Sequence, residues 1–337
     1  MDLGLMESVP PAQPPEARKG RGMEPTTGSN TTLKAGKARR RPALLSFNKM
    51  PEWFQRESKW VLHGYRPISN SARTSFCSWP YLHNESVNIH SHLISAILFL
   101  LGEWYIQRYL TSRYAGVTGA DFVAFSIFML TAATCLSLSA TYHTLLNHSQ
   151  HVEHLCLRLD MLGVIIFILG DLVLGIYMTF WCEPLPRKIY WSLFSGALTI
   201  FMTMHPKSQG AKYRTFRVLM FVATGLCGVA PLIHGLIGFG VSQMMRKAFP
   251  YTMAKAGCLL SGVTFYATRF PECRWPGKFD MWGSHSIFHV LVVCAAVYYL
   301  LLSYEYMDAY TPSMGLLVTG TSWRGSAGNF TSSFLSS

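Results

Sequence analysis

The sequence predicts an all-α membrane protein, a bundle of seven transmembrane helices with a cytosolic N-terminus and a disordered basic tail. Three observations support this fold class. Only 14% of the 337 residues are Asp, Glu, Lys or Arg, against about 25% in soluble domains. The mean hydropathy is positive, at +0.22. Seven long apolar runs, separated by short polar breaks, follow residue 85. Such a chain is largely solvated by lipid, and collagen-like or wholly disordered classes are excluded.

Residues 1–46 are predicted to form a disordered cytosolic tail, because they are rich in Pro, Gly, Ser and Thr and contain almost no aromatic side chains. The net charge of +12 is concentrated near this end, since residues 1–80 hold 13 of the 29 basic and 6 of the 17 acidic residues. A local charge of this kind indicates either a solvated run or contact with anionic lipid, and we expect no nucleic acid partner. The tail lacks the apolar stretch of a signal peptide, so we expect it to stay where it is made.

Residues 47–82 are predicted to form a cytosolic segment with a short interfacial helix. Apolar and charged side chains stand side by side between Phe47 and Lys59, as Trp53 does beside Glu52. This mixture is typical of an amphipathic helix that lies on the membrane surface.

The seven apolar runs make up the predicted membrane domain, residues 83–306, and residues 307–337 are predicted to be a lumenal or extracellular tail. Each run has about 19 to 28 residues, close to the ~20 needed to cross a bilayer as a helix. The approximate limits are 87–110, 120–147, 156–181, 187–205, 215–237, 250–268 and 283–306. We therefore expect an integral multi-pass protein of the plasma membrane or of an endomembrane such as the ER, Golgi or vacuole.

The orientation follows from Lys and Arg, which are enriched in cytosolic loops. Beyond residue 80 these residues divide evenly, with 8 on each side of the predicted bundle. The N-terminus is predicted to be cytosolic because four further basic residues precede the first run, namely Arg56, Lys59, Arg66 and Arg73. Seven crossings then place the C-terminus, with the sequon at Asn329, outside the cytosol.

Five polar residues are predicted to converge in one layer of the membrane. An ionisable group inside a membrane helix costs roughly 2.5–3.5 kcal/mol on insertion scales, so each one invites a functional interpretation. Ser139 and His143 end the second run on one helix face, and His285 and His289 begin the seventh run with the same i, i+4 spacing. Asp160 opens the third run. In an alternating path these helix ends all lie on the cytosolic side.

Three imidazoles with an open fourth position form a common catalytic zinc site. His143, His285 and His289 are the candidate Zn²⁺ ligands, Asp160 is the candidate general base, and Ser139 is the candidate partner of the water. Ser286 stands where an HExxH metalloprotease has Glu, so that protease class is disfavoured. Spacing alone leaves the alternative that these histidines only form hydrogen bonds at helix ends.

The remaining polar residues are given structural interpretations. Glu85 is expected to organise the cytosolic start of the first helix rather than to perform chemistry. A solvated loop is expected for His148, His151 and His154. The eight cysteines form no CxxC pair, so neither a thiolate zinc site nor a dithiol redox motif is supported.

Several stretches together resemble the progestin and adipoQ receptor family, also called the adiponectin-receptor or hemolysin III family. The stretches are Asn84 to His92, Ser139 to His143, Leu159 to Gly163, His205-Pro206 and Ser284 to His289. The resemblance covers roughly residues 50–306 and implies seven membrane helices with a cytosolic N-terminus. It also implies a zinc ion held by His143, His285 and His289, with Ser139 and Asp160 around the zinc-bound water.

The resemblance further implies a function in lipid metabolism. The family is similar to alkaline ceramidases in this site and is linked to ceramide hydrolysis, to lipid and zinc homeostasis, and to receptor signalling. Our leading hypothesis is a zinc-dependent hydrolase of a lipid amide such as ceramide, with membrane lipids and an extracellular ligand as further expected partners. The alternative hypothesis is a signalling receptor or scaffold in which the zinc is structural and nothing is turned over.

Overall fold

The computed structural model describes residues 41–55, 59–113, 118–204, 219, 222–246 and 249–300. From Pro42 onward these residues belong to one compact unit. Their regular secondary structure is helical, and the one isolated β-bridge among them joins Leu45 to Tyr65. The predicted tails, residues 1–46 and 307–337, lie almost wholly outside the described residues.

The N-terminal segment, residues 42–82, is folded into short pieces. A 3-10 turn spans Phe47–Lys49, and two short helices follow, α1 (Glu52–Gln55) and α2 (Ala72–Phe76). The expected helix near residue 50 is therefore present, but in two pieces. Its apolar side chains Met50 and Phe54 are buried within the protein, in a cluster with Tyr142, Leu146 and Cys156. Its position relative to a membrane stays a prediction.

Within the part of the chain that the structure describes, longer helices follow the N-terminal segment. They are α3 (Ser86–Arg113), α4 (Gly119–Leu145), α5 (Gln150–Thr179), α6 (Pro184–Met204), α7 (Val229–Arg246), α8 (Phe249–Thr268) and α9 (Ser284–Leu300). A capping box begins α4, where the Asp121 carboxylate accepts hydrogen bonds from the Thr118 amide at 2.7 Å and from its hydroxyl at 2.9 Å. The start of α5 precedes the predicted third run by six positions, 150 against 156, because a helix continues beyond its apolar stretch wherever its backbone hydrogen bonds can form.

Among the described residues, four helical stretches are long and apolar enough to cross a membrane by length and composition. They are Ser86–Tyr109, Gly119–Leu145, Gln150–Thr179 and Val222–Met245. The apolar helix Ser284–Leu300 is shorter within the described residues. Large apolar side chains are exposed on several helices, among them Leu101, Leu193, Ile237 and Leu260. Lipid, rather than water, is the solvent that suits such a surface.

The fifth apolar run differs most from its predicted limits. The run was expected at 215–237, of which residues 215–218 and 220–221 lie outside the described residues. A helical stretch beginning at Val222 is interrupted by a turn at Cys227 and Gly228, and α7 continues to Arg246. Within α7, Gly240 has a φ of +76°, which kinks the helix and which residues with a Cβ rarely adopt. The helix is therefore interrupted at Gly228 and again at Gly240, as expected for a stretch that contains several glycines.

The main core lies between α3, α4, α5 and α9. Phe99, Phe128, Leu174 and Tyr299, one from each of these helices, belong to a single buried cluster. The ring centroid of Phe128 lies 6.3 Å from that of Phe99 and 5.6 Å from that of Tyr299. This packing brings the end of α4 next to the start of α9.

Candidate metal centre

The first candidate ligand, His143, lies near the C-terminal end of α4 and is 2% exposed. Its Nδ1 atom is 2.8 Å from the Oε2 atom of Glu85, which immediately precedes α3. A carboxylate at this distance accepts a hydrogen bond from Nδ1–H, which leaves the unprotonated Nε2 atom free to bind a metal. Glu85 therefore fixes both the tautomer and the ring orientation of His143.

The other two candidate ligands, His285 and His289, lie on the first turns of α9. The Glu272 carboxylate fixes the start of this helix, because it accepts hydrogen bonds from the amide of Ser284 at 2.7 Å and from its hydroxyl at 2.5 Å. The i, i+4 spacing then directs both imidazoles to the same face. His289 is buried, and His285 is partly buried.

The three Nε2 atoms converge. His285 Nε2 lies 3.3 Å from His143 Nε2 and 3.0 Å from His289 Nε2. The candidate ligand atoms of the three histidines all lie within 4.8 Å of one another. Two nitrogens that bind the same tetrahedral zinc ion at about 2.0–2.1 Å are about 3.3–3.4 Å apart. The cluster could therefore hold a metal ion with little rearrangement.

Asp160 and Ser139 lie beside this cluster. Asp160 is on α5 and 7% exposed, whereas Ser139 is on α4, one turn before His143, and 3% exposed. The Asp160 carboxylate interacts electrostatically with the Ser139 hydroxyl and with His143. Close helix packing makes this possible, because a Cβ on Gly163 would lie only 3.1 Å from the Cα of Cys135 on α4.

Glu85 also ties α3 to the ligand helices through Asn88. The Asn88 amide donates to Glu85 Oε2 at 2.7 Å, and its Oδ1 accepts a hydrogen bond from the Ser286 hydroxyl, also at 2.7 Å. Burial alone would raise the pKa of Glu85, but hydrogen bonds from His143 and Asn88 outweigh burial and lower the pKa to about 2. Glu85 is thus an anion beside the histidines.

His92 on α3 packs against the histidine cluster. Its ring stacks on that of His289, with centroids 3.9 Å apart and an interplanar angle of 17°. His92 is 5% exposed, and neither of its ring nitrogens has a hydrogen-bond partner among the described residues. The stacked ring limits the rotation of the His289 imidazole.

The structure brings together all five residues that the sequence predicted to converge. The expectation of a solvated loop for His148, His151 and His154 was wrong for two of them. His151 and His154 lie on the first turns of α5, where both are exposed, because this helix begins before the apolar run. His148 lies in the turn before α5, with its Nδ1 atom 3.1 Å from the Ser149 hydroxyl. The contact that sequence reasoning missed is Glu85 to His143. A signal was present, because Glu85 begins the first helix on the same predicted side of the bundle, but one acidic residue has many roles at a helix start.

The model of the haemolysin-III-related family matches residues 80–300, which is most of the chain and includes every residue of the cluster. The chain belongs to the haemolysin-III-related family. The resemblance noted in the sequence is thereby confirmed, and membership in this family, together with the apolar helices, makes the chain an integral multi-pass membrane protein.

Relatives of this haemolysin-III-related chain include proteins from a yeast, a fly and a plant. It is 35% identical over 280 residues to the ADIPOR-like receptor IZH2 of Saccharomyces cerevisiae, covering 81% of this chain and 87% of the yeast protein. It is 35% identical to the adiponectin receptor protein of Drosophila melanogaster, covering 74% of this chain but only 56% of the fly protein. The heptahelical transmembrane protein ADIPOR1 of rice, Oryza sativa subsp. japonica, is 31% identical, with 75% of this chain and 81% of the rice protein covered.

Proposed function

We propose that this chain is a receptor-like membrane protein whose histidine cluster binds a zinc ion and hydrolyses the amide bond of a lipid of the ceramide type. The observation that carries the proposal is the convergence of three imidazole nitrogens next to a carboxylate, Asp160, and a hydroxyl, Ser139. Three neutral imidazoles are a donor set that suits zinc and leave one tetrahedral position open. The substrate class rests on the family resemblance.

The proposal includes the topology of the chain. Seven helices cross the membrane, with residues 1–46 and 47–82 in the cytosol, residues 83–306 in the membrane, and residues 307–337 outside the cytosol. The basic residues before α3 support this orientation. The rice relative, whose name describes it as heptahelical, supports the number of crossings. The cluster then opens toward the cytosolic side.

The residues around the cluster have separate roles in hydrolysis. Zinc, when bound by His143, His285 and His289, supplies a Lewis acid and lowers the pKa of a coordinated water to about 7. The Ser139 hydroxyl orients the attacking water, and the Asp160 carboxylate accepts its proton. The water oxygen bonds to the amide carbonyl carbon, the C–N bond breaks, and Asp160 returns the proton to the departing amine. A fatty acid and a sphingoid base result.

The second candidate function is a receptor in which the same zinc is structural. The specific observation in its favour is that the ligands come from α4 and α9, so a metal ion would join two helices that are distant in sequence. The yeast and fly relatives are both named as receptors. In this case ligand-dependent movement of helices would be the output, with no turnover.

Metal content and lipid hydrolysis distinguish the two functions. The wild-type chain would be purified in detergent, its zinc measured by mass spectrometry, and sphingoid-base release followed for several N-acyl sphingosines. We expect about one zinc per chain and slow release by the wild type. Asp160→Asn should keep the zinc and lose release, whereas the triple alanine variant of His143, His285 and His289 should lose both.

His154→Ala is the matched control, because it removes an exposed histidine outside the cluster. It should change neither readout. Zinc in the wild type without release from any lipid amide would exclude the hydrolase and leave the structural role. Equal zinc in the wild type and the triple variant would overturn the metal site itself.

A further inference from the structure

Arg66 in the N-terminal segment binds the backbone of a candidate metal ligand. Arg66 as a whole residue is 2% exposed. The Nη2 atom donates to the carbonyl oxygen of His143 at 2.6 Å, and Nη1 donates to that of Thr144 at 3.0 Å and to the Ser78 hydroxyl at 2.8 Å. These carbonyls belong to the last turn of α4, where no further turn of helix follows to supply amide donors. Arg66 supplies the missing donors.

The guanidinium is suited to this role by charge as well as by geometry. An arginine side chain is cationic at neutral pH, and the negative charge of Glu85 lies near it. A cation at a helix C-terminus opposes the partial negative charge of the last carbonyls. A fork of several N–H groups can also hold two adjacent carbonyls at once, which an ammonium group does less well.

His143 is consequently held from two sides. Glu85 holds its imidazole through Nδ1, and Arg66 holds its backbone carbonyl. The two contacts come from different parts of the chain, one from the start of α3 and one from the N-terminal segment. Neither alone would fix the position of Nε2, because the ring can shift if the backbone moves.

Further contacts join the N-terminal segment to the end of α4. The Ser69 amide donates to the Asn147 carbonyl at 2.9 Å, and the Asn147 amide group donates to the Pro67 carbonyl, also at 2.9 Å. Trp79 Nε1 donates to the Thr144 hydroxyl at 3.0 Å. Residues that follow Arg66 therefore bind the end of α4 and the residues just after it. Arg66 itself bonds to His143, the ligand residue.

We propose that Arg66 is a positioning residue for the metal centre, which holds the last turn of α4 so that the imidazole of His143 meets those of His285 and His289. This inference rests on the metal site of the proposed function but not on hydrolysis. It makes the N-terminal segment a part of the metal centre. Metal binding and docking of the segment are then coupled, and each strengthens the other.

Zinc competition with a fluorescent chelator tests the proposal on the full chain in detergent. Arg66→Met removes every donor, and we expect zinc affinity to fall about 10- to 100-fold, as when outer-shell partners of ligands are lost. Arg66→Lys keeps the charge and one donor, so its affinity should fall between those of the wild type and Arg66→Met. The visible spectrum of bound Co²⁺ should change in Arg66→Met, since it reports the ligand geometry rather than general stability.

Asp280→Ala is the matched control. The Asp280 carboxylate binds the same segment at the amides of Leu62 and His63, at 2.8 and 3.0 Å, without touching His143. Its loss should loosen the segment, seen as faster amide hydrogen exchange in residues 61–66, and should change zinc affinity less than twofold. Equal loss of affinity in Asp280→Ala and Arg66→Met would show a general effect of docking and overturn the assignment to Arg66.

Two further outcomes separate the proposals from each other. Wild-type zinc binding with unchanged affinity and Co²⁺ spectrum in Arg66→Met would overturn the positioning role and leave the metal site intact. If the wild type itself bound no zinc, the metal site and this inference would both fail. Should Arg66→Met not fold, Arg66→Lys decides, and wild-type affinity with a wild-type spectrum in that variant would contradict the need for a guanidinium fork.

Discussion

The carboxylate of Glu85 contributes to the candidate metal centre without being a ligand. It accepts one hydrogen bond from the Nδ1–H group of His143 and another from the Asn88 amide. Its negative charge therefore faces the histidines from the start of α3. Such a partner raises the basicity of a ligating imidazole and restricts its rotation. At the residue scale, the site therefore extends beyond the three histidines.

Glu85→Gln should weaken zinc binding by about 10- to 100-fold, because the neutral amide oxygen is a weaker acceptor for the His143 Nδ1 proton than the carboxylate. The side chains have nearly the same size, so packing changes little. Chelator competition measures the effect. Glu183→Gln, at an exposed glutamate far along the chain, is the control and should bind zinc as the wild type does. Wild-type affinity in Glu85→Gln would contradict the role of the charge.

Which site residues the sequence could predict depended on what kind of group each one contacts. His285 and His289 were predictable because a fixed helical spacing relates them, and His143 because helix ends on one side of a bundle meet. The partner of Arg66 was not predictable, since it is a backbone carbonyl, and every residue carries one. The Glu85 contact required knowing how far the start of α3 lies from the end of α4, which no local pattern contains.

At the scale of elements, close approach of α4 and α5 keeps Ser139 next to Asp160. Two glycines of α5 face α4, Gly163 and Gly170. Small residues let membrane helices approach closely, and dispersion contacts then hold the helices together in the absence of a hydrophobic driving force. The contact of these two helices is therefore sensitive to added volume.

Gly170→Ala should destabilise the protein by about 1–3 kcal/mol, the usual cost of overpacking. A Cβ there would overlap the Thr131 Oγ1 atom and would lie 2.8 Å from the Thr131 Cβ atom, so the two helices must move apart. Thermal unfolding in detergent measures the loss. Adding Thr131→Ala should restore part of it, because Oγ1 and Cγ2 of Thr131 are then absent.

Gly257→Ala is the control for this prediction. A Cβ at Gly257 on α8 meets nothing within 4 Å, and alanine is the better helix former by about 1 kcal/mol. The control should therefore leave the melting temperature unchanged or raise it. An equal decrease in both variants would show that the measured loss does not come from the contact of α4 with α5.

An ion pair joins α8 to α5 away from the metal centre. Lys255 Nζ lies 2.7 Å from both carboxylate oxygens of Asp171 and 4.1 Å from the ring centroid of Tyr299 on α9. Both charged side chains are mostly shielded, with exposures of 13% for Lys255 and 21% for Asp171. Each of the two residues stabilises the charged form of the other, because an unpaired charge inside a membrane protein raises the free energy of the folded state.

Lys255→Met should lower the melting temperature strongly, because it leaves the Asp171 carboxylate without its cation. Breaking a fully buried pair costs roughly 3–5 kcal/mol of stability, and we expect a smaller loss here because both side chains are partly exposed. The double variant Lys255→Met with Asp171→Asn should recover most of the loss. Thermal unfolding of both single variants and the double variant provides the measurement. Additive losses in the double variant would mean that the two residues act independently.

For the whole molecule, the order and approximate limits of the helices were predictable from hydropathy, since a helix that crosses lipid needs a long apolar stretch. The path of the N-terminal segment was not. The apolar side chains Met50 and Phe54 predicted a helix on the membrane surface, and in the structure they pack against residues at the ends of α4 and α5. The position of this helix relative to the membrane stays a prediction. An apolar face does not specify whether protein or lipid covers it.

The proposed topology predicts where a glycan can be attached. With seven crossings and a cytosolic N-terminus, Asn329 in the sequence Asn329-Phe330-Thr331 lies outside the cytosol, where the glycosylation enzyme acts, and Asn30 in Asn30-Thr31-Thr32 does not. Expression in a eukaryotic cell should give one glycosidase-sensitive shift in gel mobility, lost in Asn329→Gln and kept in Asn30→Gln. A shift that depends on Asn30 instead would reverse the orientation, place the histidine cluster on the opposite face, and require that any lipid substrate reach it from the lumenal or extracellular leaflet.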